Sequence, residues 1–106
     1  MNDIELKFES NQRGAFVIEE NNERIAEMAF GRQDNNLIIY HTEVNDKLKG
    51  QGTAGHLLER MVNFAREENL QVVPLCPYVL AQFKRHPERY EDIWNKHWHD
   101  VKASDA

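Results

Sequence analysis

The chain has 106 residues, 41% hydrophobic and 29% charged, with a formal net charge of −5; this length predicts one domain, residues 1–106. The acidic balance leaves no basic surplus to neutralise nucleic-acid phosphates, and no apolar run approaches the roughly 20 residues of a membrane span. The single cysteine cannot form an internal disulfide, and the start Met1-Asn2-Asp3-Ile4-Glu5 lacks signal-peptide features, so a cytoplasmic location is expected.

Residues 4–9 alternate apolar and polar, the mark of a half-buried strand. Residues 10–14 read as a turn, 15–19 as a second strand and 20–23 as a tight polar connection. The third strand, 24–30, should therefore return as a hairpin, with either Ile25 or Ala26 facing inward. After a turn over 31–36, residues 37–44 are the most β-prone run and should lie centrally. Four strands joined by short polar turns imply an antiparallel meander.

Three of the five glycines then fall within residues 49–55, Lys-Gly-Gln-Gly-Thr-Ala-Gly. Glycines at a strand-to-helix junction permit positive φ and close approach of a ligand to the backbone. The helix start that follows offers unpaired N–H groups and the positive end of its dipole, which favour a phosphate. Ala54, Leu57, Leu58, Met61, Val62 and Ala65 make one apolar stripe of a helix over 54–68. Asn69 can close it. Residues 71–75 form a short fifth strand, and a strand–helix–strand crossover makes it parallel to the fourth. Pro77 suits the first position of a helix over 78–85. Pro87 restarts a helix marked by Tyr90, Ile93, Trp94 and Val101, with Trp98 a further candidate. Trp94 and Trp98 should then share a helix face that covers the sheet, with a self-association surface as the other use open to it. Residues 102–106 should fray. The expected fold class is α/β: a mixed, mostly antiparallel sheet of about five strands with a crossover helix and C-terminal helices.

This order of strands, glycine turn, helix and strand resembles the GNAT superfamily of acyl-CoA-dependent N-acetyltransferases. Its phosphate signature is Arg or Gln, two residues, Gly, one residue, then Gly or Ala. Here it reads Lys49-Gly50-Gln51-Gly52-Thr53-Ala54. Lys49 keeps a positive charge and loses the planar fork of arginine. A small single-domain branch, the YjdJ-type or minimal GNAT-like proteins, is a closer match. It shares His41-Thr42-Glu43-Val44, Val72-Val73-Pro74-Leu75-Cys76-Pro77-Tyr78 and His86-Pro87. The resemblance covers roughly Ile4 to Tyr90.

The resemblance implies acetyl-CoA as cosubstrate and an amine acceptor, either a small molecule or a protein. It implies a pantetheine arm in a splay between strands four and five, paired with the backbone near Val44. The pyrophosphate would rest on Lys49, Gly50, Gln51, Gly52, Thr53, Ala54 and Gly55, with Tyr78 close to the site. A monomer or weak dimer is expected.

Acyl transfer to an amine needs a neutral amine, a held oxyanion and a stabilised leaving thiolate. Cys76 stands between a strand end and a helix start, where a thiol gains reactivity. It could carry the acyl group or only line the thioester site; a small buried thiol is the plain alternative. The resemblance places this cysteine at the active site. His41 could be brought near Cys76 by strands four and five and act as a base, or be a satisfied histidine on a half-wet strand face. Tyr78 could protonate the thiolate, or simply be an aromatic at a helix start. His86, His97 and His99 match no familiar zinc spacing, so no metal site is expected. Lys84 and Arg85 could reach nucleotide phosphates or face solvent. Two other readings stand beside the enzyme: a non-catalytic acyl-CoA-binding or protein-interaction module of the same fold, and a thiol redox sensor built on Cys76.

Overall fold

A computed structural model describes residues 3–98. The elements in order are β1 (Glu5–Phe8), β2 (Arg13–Glu20), β3 (Glu23–Gln33), β4 (Asn36–Val44), a 3-10 turn (Asp46–Leu48), α1 (Thr53–Glu67), β5 (Gln71–Pro74), α2 (Pro77–Arg85) and α3 (Pro87–Tyr90). The sheet order is β1-β2-β3-β4-β5. Every pair is antiparallel except β4 with β5, which is parallel across the α1 crossover. The α/β class, the meander and the crossover all stand as expected.

The main core lies on one face of the sheet. Phe16, Ile18, Met28, Phe30, Leu37 and Ile39 meet Leu57, Leu58, Met61, Val62 and Ala65 of α1, and Val79 and Phe83 of α2. Each of these side chains except that of Ala65 contributes about 1.5–3 kcal/mol by leaving water. The α1 stripe is the one that the i, i+3, i+4 spacing announced, with Phe64 added at its edge. Glu68 caps the helix, and Asn69 follows at φ 56°, the left-handed conformation that a short polar side chain tolerates. Gly14 is required where it stands: a Cβ there would lie 2.6 Å from the Lys7 carbonyl and 2.8 Å from the Phe30 ring.

Three expectations are corrected. First, Ile25 and Ala26 are both buried, because the β2–β3 register shifts between Ile18 and Glu19 and leaves Ile25 as an extra residue on β3. Second, residues 31–33 belong to β3, not to a turn: the Arg32 amide donates to the Gln12 carbonyl at 2.7 Å, and the reversal is confined to Asp34 and Asn35. Third, the helix begun by Pro87 stops at Tyr90. The chain then runs beside β5: Val72 donates to the Ile93 carbonyl at 2.6 Å, and Asn95 donates back to Val72 at 2.9 Å. The open edge of β5 needs backbone partners, and this segment supplies them in place of a further helical turn. Trp94 and Trp98 therefore share no helix face. Trp94 packs edge-on against Phe83 at 5.6 Å in the main core, whereas Trp98 sits with Ile38 and Val73 in a smaller cluster. Val101, His99 and residues 102–106 lie outside the described residues.

Candidate active site

Strand β4 outlasts β5. Their last paired residues are Ile39 and Pro74. The Cys76 amide donates to the Ile39 carbonyl at 2.8 Å, and Pro77 then opens α2. Beyond Ile39, residues Thr42, Glu43 and Val44 pair, among the described residues, only with β3, at Met28, Glu27 and Ala26. Their backbone on the β5 side is left open, so a cleft separates the end of β4 from the start of α2.

That cleft leads to the glycine turn. Asn45 starts the 3-10 turn by accepting from the Lys47 amide at 3.0 Å. Gly50 and Gly52 then take φ of 81° and 72°, a region in which an L side chain is strained. The first bond of α1 runs from the His56 amide to the Gly52 carbonyl at 3.1 Å. The Thr53, Ala54 and Gly55 amides therefore precede the helical ladder, and no side chain caps them. A Cβ at Gly50, Gly52 or Gly55 would meet nothing within 4 Å. The Thr53 hydroxyl is buried without a hydrogen-bond partner among the described residues. The first turn of α1 carries no acidic residue. An open nest of amides without a competing carboxylate has the chemistry that a pyrophosphate requires. Lys49 pairs with Asp46 at 3.1 Å in solvent, and Gln51 reaches the Lys47 carbonyl at 3.4 Å.

From Gly55 a groove of about 490 Å³ runs between α1 and α2, past Leu58 and Val62 on one side and Tyr78 and Gln82 on the other. Burial pushes the Tyr78 phenol up, with Tyr90 and Cys76 adding to the shift, so it is a protonated donor at neutral pH. Lys84 lies elsewhere, against Trp94 and Trp98 in a different groove. His86 ends α2, with its ring 4.0 Å from Glu88.

Cys76 is 2% exposed and stands at the N-cap of α2. Its Sγ lies 3.3 Å from the Thr42 hydroxyl, where either atom can donate. Thr42 was not singled out from sequence, although it follows His41 directly.

His41 does not join Cys76. Between Ala29 and Phe30 the β3–β4 register shifts: Phe30 faces Ile39 and Ala29 faces His41, so Tyr40 is an extra residue on β4. Strict alternation from Ile39 would put His41 on the Cys76 side. The bulge reverses this, and Thr42 takes that place. His41 lies instead on the opposite face, with its Nε2 2.8 Å from Oε2 of Glu27. Burial pushes the Glu27 carboxyl up, but hydrogen bonds with His41 and Arg24 outweigh it and hold the group below its ordinary value. Glu43 is opposite Glu27 in the ladder, and one ligand atom from each of Glu27, His41 and Glu43 lies within 4.8 Å of the others. Cys76 and His41 thus flank the open end of β4 from its two sides.

No helix among the described residues is long and apolar enough to cross a membrane. The family model for GCN5-related N-acetyl-transferases matches residues 15–93. Protein NATD1 of Xenopus tropicalis is 37% identical over 49 residues, 46% of this chain and 45% of that protein. The Homo sapiens protein of that name matches at the same 37% over 43% of its length. The similarity thus spans a little under half of these curated relatives. A GCN5-like protein of Staphylococcus aureus, solved by NMR, covers more: 90% of this chain and 91% of that one, at 31% identity and a TM-score of 0.57. With most of β2, all of β3 to α3, the glycine turn and the cleft inside the matched span, the chain belongs to the GCN5-related N-acetyltransferase family.

Proposed function

We propose that the protein transfers an acetyl group from acetyl-CoA to an amine. The observation that carries this reading is the continuity of the open edge of β4 with the uncapped glycine turn. The pyrophosphate would sit on the amides of Gly50 to Gly55. The pantetheine arm would pair with β4 at Val44, and the thioester would end between Thr42 and Cys76. A cytoplasmic setting suits a free cysteine.

Two routes use the same groups. In direct transfer the neutral amine attacks the thioester carbonyl. The C–N bond forms, the C–S bond breaks, and the CoA sulfur takes a proton, for which the Tyr78 phenol that lines the neighbouring groove is a candidate donor. In the covalent route the Cys76 thiol attacks first, its proton passing to the departing CoA sulfur; the amine then attacks the Cys76 thioester and its released proton returns to Sγ. The burial of Cys76 and its bond to Thr42 favour a role beside the thioester sulfur in either case.

Mass spectrometry after incubation with acetyl-CoA separates the routes. The covalent one predicts a hydroxylamine-labile acetyl group that disappears in Cys76→Ser. An unmodified, active Cys76→Ala enzyme would rule it out and leave direct transfer. CoA binding without release of free thiol across a broad amine panel would instead favour a non-catalytic acyl-CoA-binding module.

A further inference from the structure

The two faces of the sheet differ sharply around the open end of β4. Both α1 and α2 bury their apolar residues in the core on one face. On the other, Glu27, His41 and Glu43 project from β3 and β4 beside Arg24. The only described apolar cluster on that side, Ile38, Val73 and Trp98, lies towards β5. Next to His41 a cavity of about 220 Å³ has small residues, Gly14, Ala15 and Ala29, for a floor, with Arg13 and Glu9 at its rim.

An ionised carboxylate only accepts hydrogen bonds, so the Nε2 of His41 must carry the hydrogen shared with Glu27. The other ring nitrogen, Nδ1, is then the basic one. Arg24 holds the second side of the pair, 3.3 Å from Oε1 of Glu27. Glu43 has no ion-pair partner among the described residues. It lies one strand from Glu27 and two residues from His41, so it can meet a positive charge arriving at the ring.

We propose that Glu27 is the positioning residue for His41, fixing Nδ1 as the base, and that a cationic amine acceptor enters over the face opposite α1 with Glu43 holding its charge. The inference rests on the acetyltransferase reading. The ammonium gives one proton to Nδ1 of His41. The resulting neutral amine attacks the thioester carbonyl from the face opposite α1. As the C–N bond forms and the C–S bond breaks, the second proton passes from nitrogen through solvent to the departing sulfur, so that CoA leaves as its thiol. Because Glu43 has no ion-pair partner among the described residues, a flexible diamine, which keeps a second charge for it, fits this site better than an amine with a single charge.

The test combines steady-state kinetics with nitrogen-15 NMR of the histidine rings in the full chain. The probes are 1,5-diaminopentane, benzylamine and a lysine peptide. Wild type should show His41 protonated at Nε2. Glu27→Gln should lose that tautomer preference and reduce kcat about 10-fold to 100-fold, with KM for acetyl-CoA unchanged. Glu43→Gln should leave kcat near wild type and raise KM several-fold for diaminopentane, with a smaller change for benzylamine. A lysine peptide used better than diaminopentane, yet indifferent to Glu43→Gln, would overturn the diamine preference. Wild-type kcat and tautomer in Glu27→Gln would overturn the positioning role, provided that acetyl-CoA still raises Tm. If acetyl-CoA gives no rise in Tm, the acetyltransferase reading fails and the acceptor site falls with it.

Discussion

Gly55→Leu should leave the unliganded protein at least as stable as wild type and abolish its stabilisation by CoA. Gly55 lies inside α1, and a Cβ there meets open space. Replacing a helical glycine by a good helix former is worth about 0.8–1 kcal/mol, so the free protein should gain slightly. The same open space is where a pyrophosphate would approach the Thr53 to Gly55 amides. A leucine there fills it and covers the donors. For wild type, ligand at 100 times its Kd adds about 2.7 kcal/mol, which for a domain of this size raises Tm by roughly 10–20 °C. Differential scanning fluorimetry with millimolar CoA therefore has a wide window. A variant that melts no lower than wild type and no longer responds to CoA would separate ligand contact from folding. A full response in Gly55→Leu would move the phosphate site elsewhere.

The second large effect should come from His41→Gln. General-base catalysis contributes about 100-fold to 10,000-fold, and His41 is half-exposed in an ion pair rather than in the core. Its loss should therefore reduce turnover by a factor in that range, leave Tm close to wild type and leave acetyl-CoA affinity unchanged. Measured turnover on 1,5-diaminopentane, paired with a CoA thermal shift, checks all three. Retained turnover would remove His41 from the chemistry and leave its bond to Glu27 as a surface contact. Such exposed pairs contribute about 0–1 kcal/mol to stability.

Much of this architecture was legible in the sequence because it is periodic. The α1 stripe, the alternation of the meander and the crossover that makes β5 parallel each follow from spacing alone. Punctuation was readable too: Pro77 at the start of α2, Asn69 after α1, and glycines at the turn that adopts positive φ. What escaped was whatever breaks the period. One extra residue at Tyr40 reverses the side on which His41 emerges, and nothing in residues 37–44 announces it. The expected meeting of His41 and Cys76 failed for that reason, and their true partners, Glu27 and Thr42, come from pairings that alternation cannot supply. The C-terminal segment failed for another. Its apolar spacing suits a helix, but the open edge of β5 offers backbone bonds that residues 93–95 satisfy. Competition between a local pattern and a distant strand edge is visible only once the sheet is assembled.

The central claim is that a CoA thioester lies along the open edge of β4 with its phosphates on the glycine turn. Titrating the nitrogen-15-labelled protein with CoA and following its amide resonances tests this most directly. The account predicts the largest shifts at Gly50, Gly52, Thr53, Ala54 and Gly55, a second group at Thr42 to Val44 and Cys76, and little change on the face of Glu27 and His41. Shifts confined to that opposite face, or none at millimolar CoA, would contradict it.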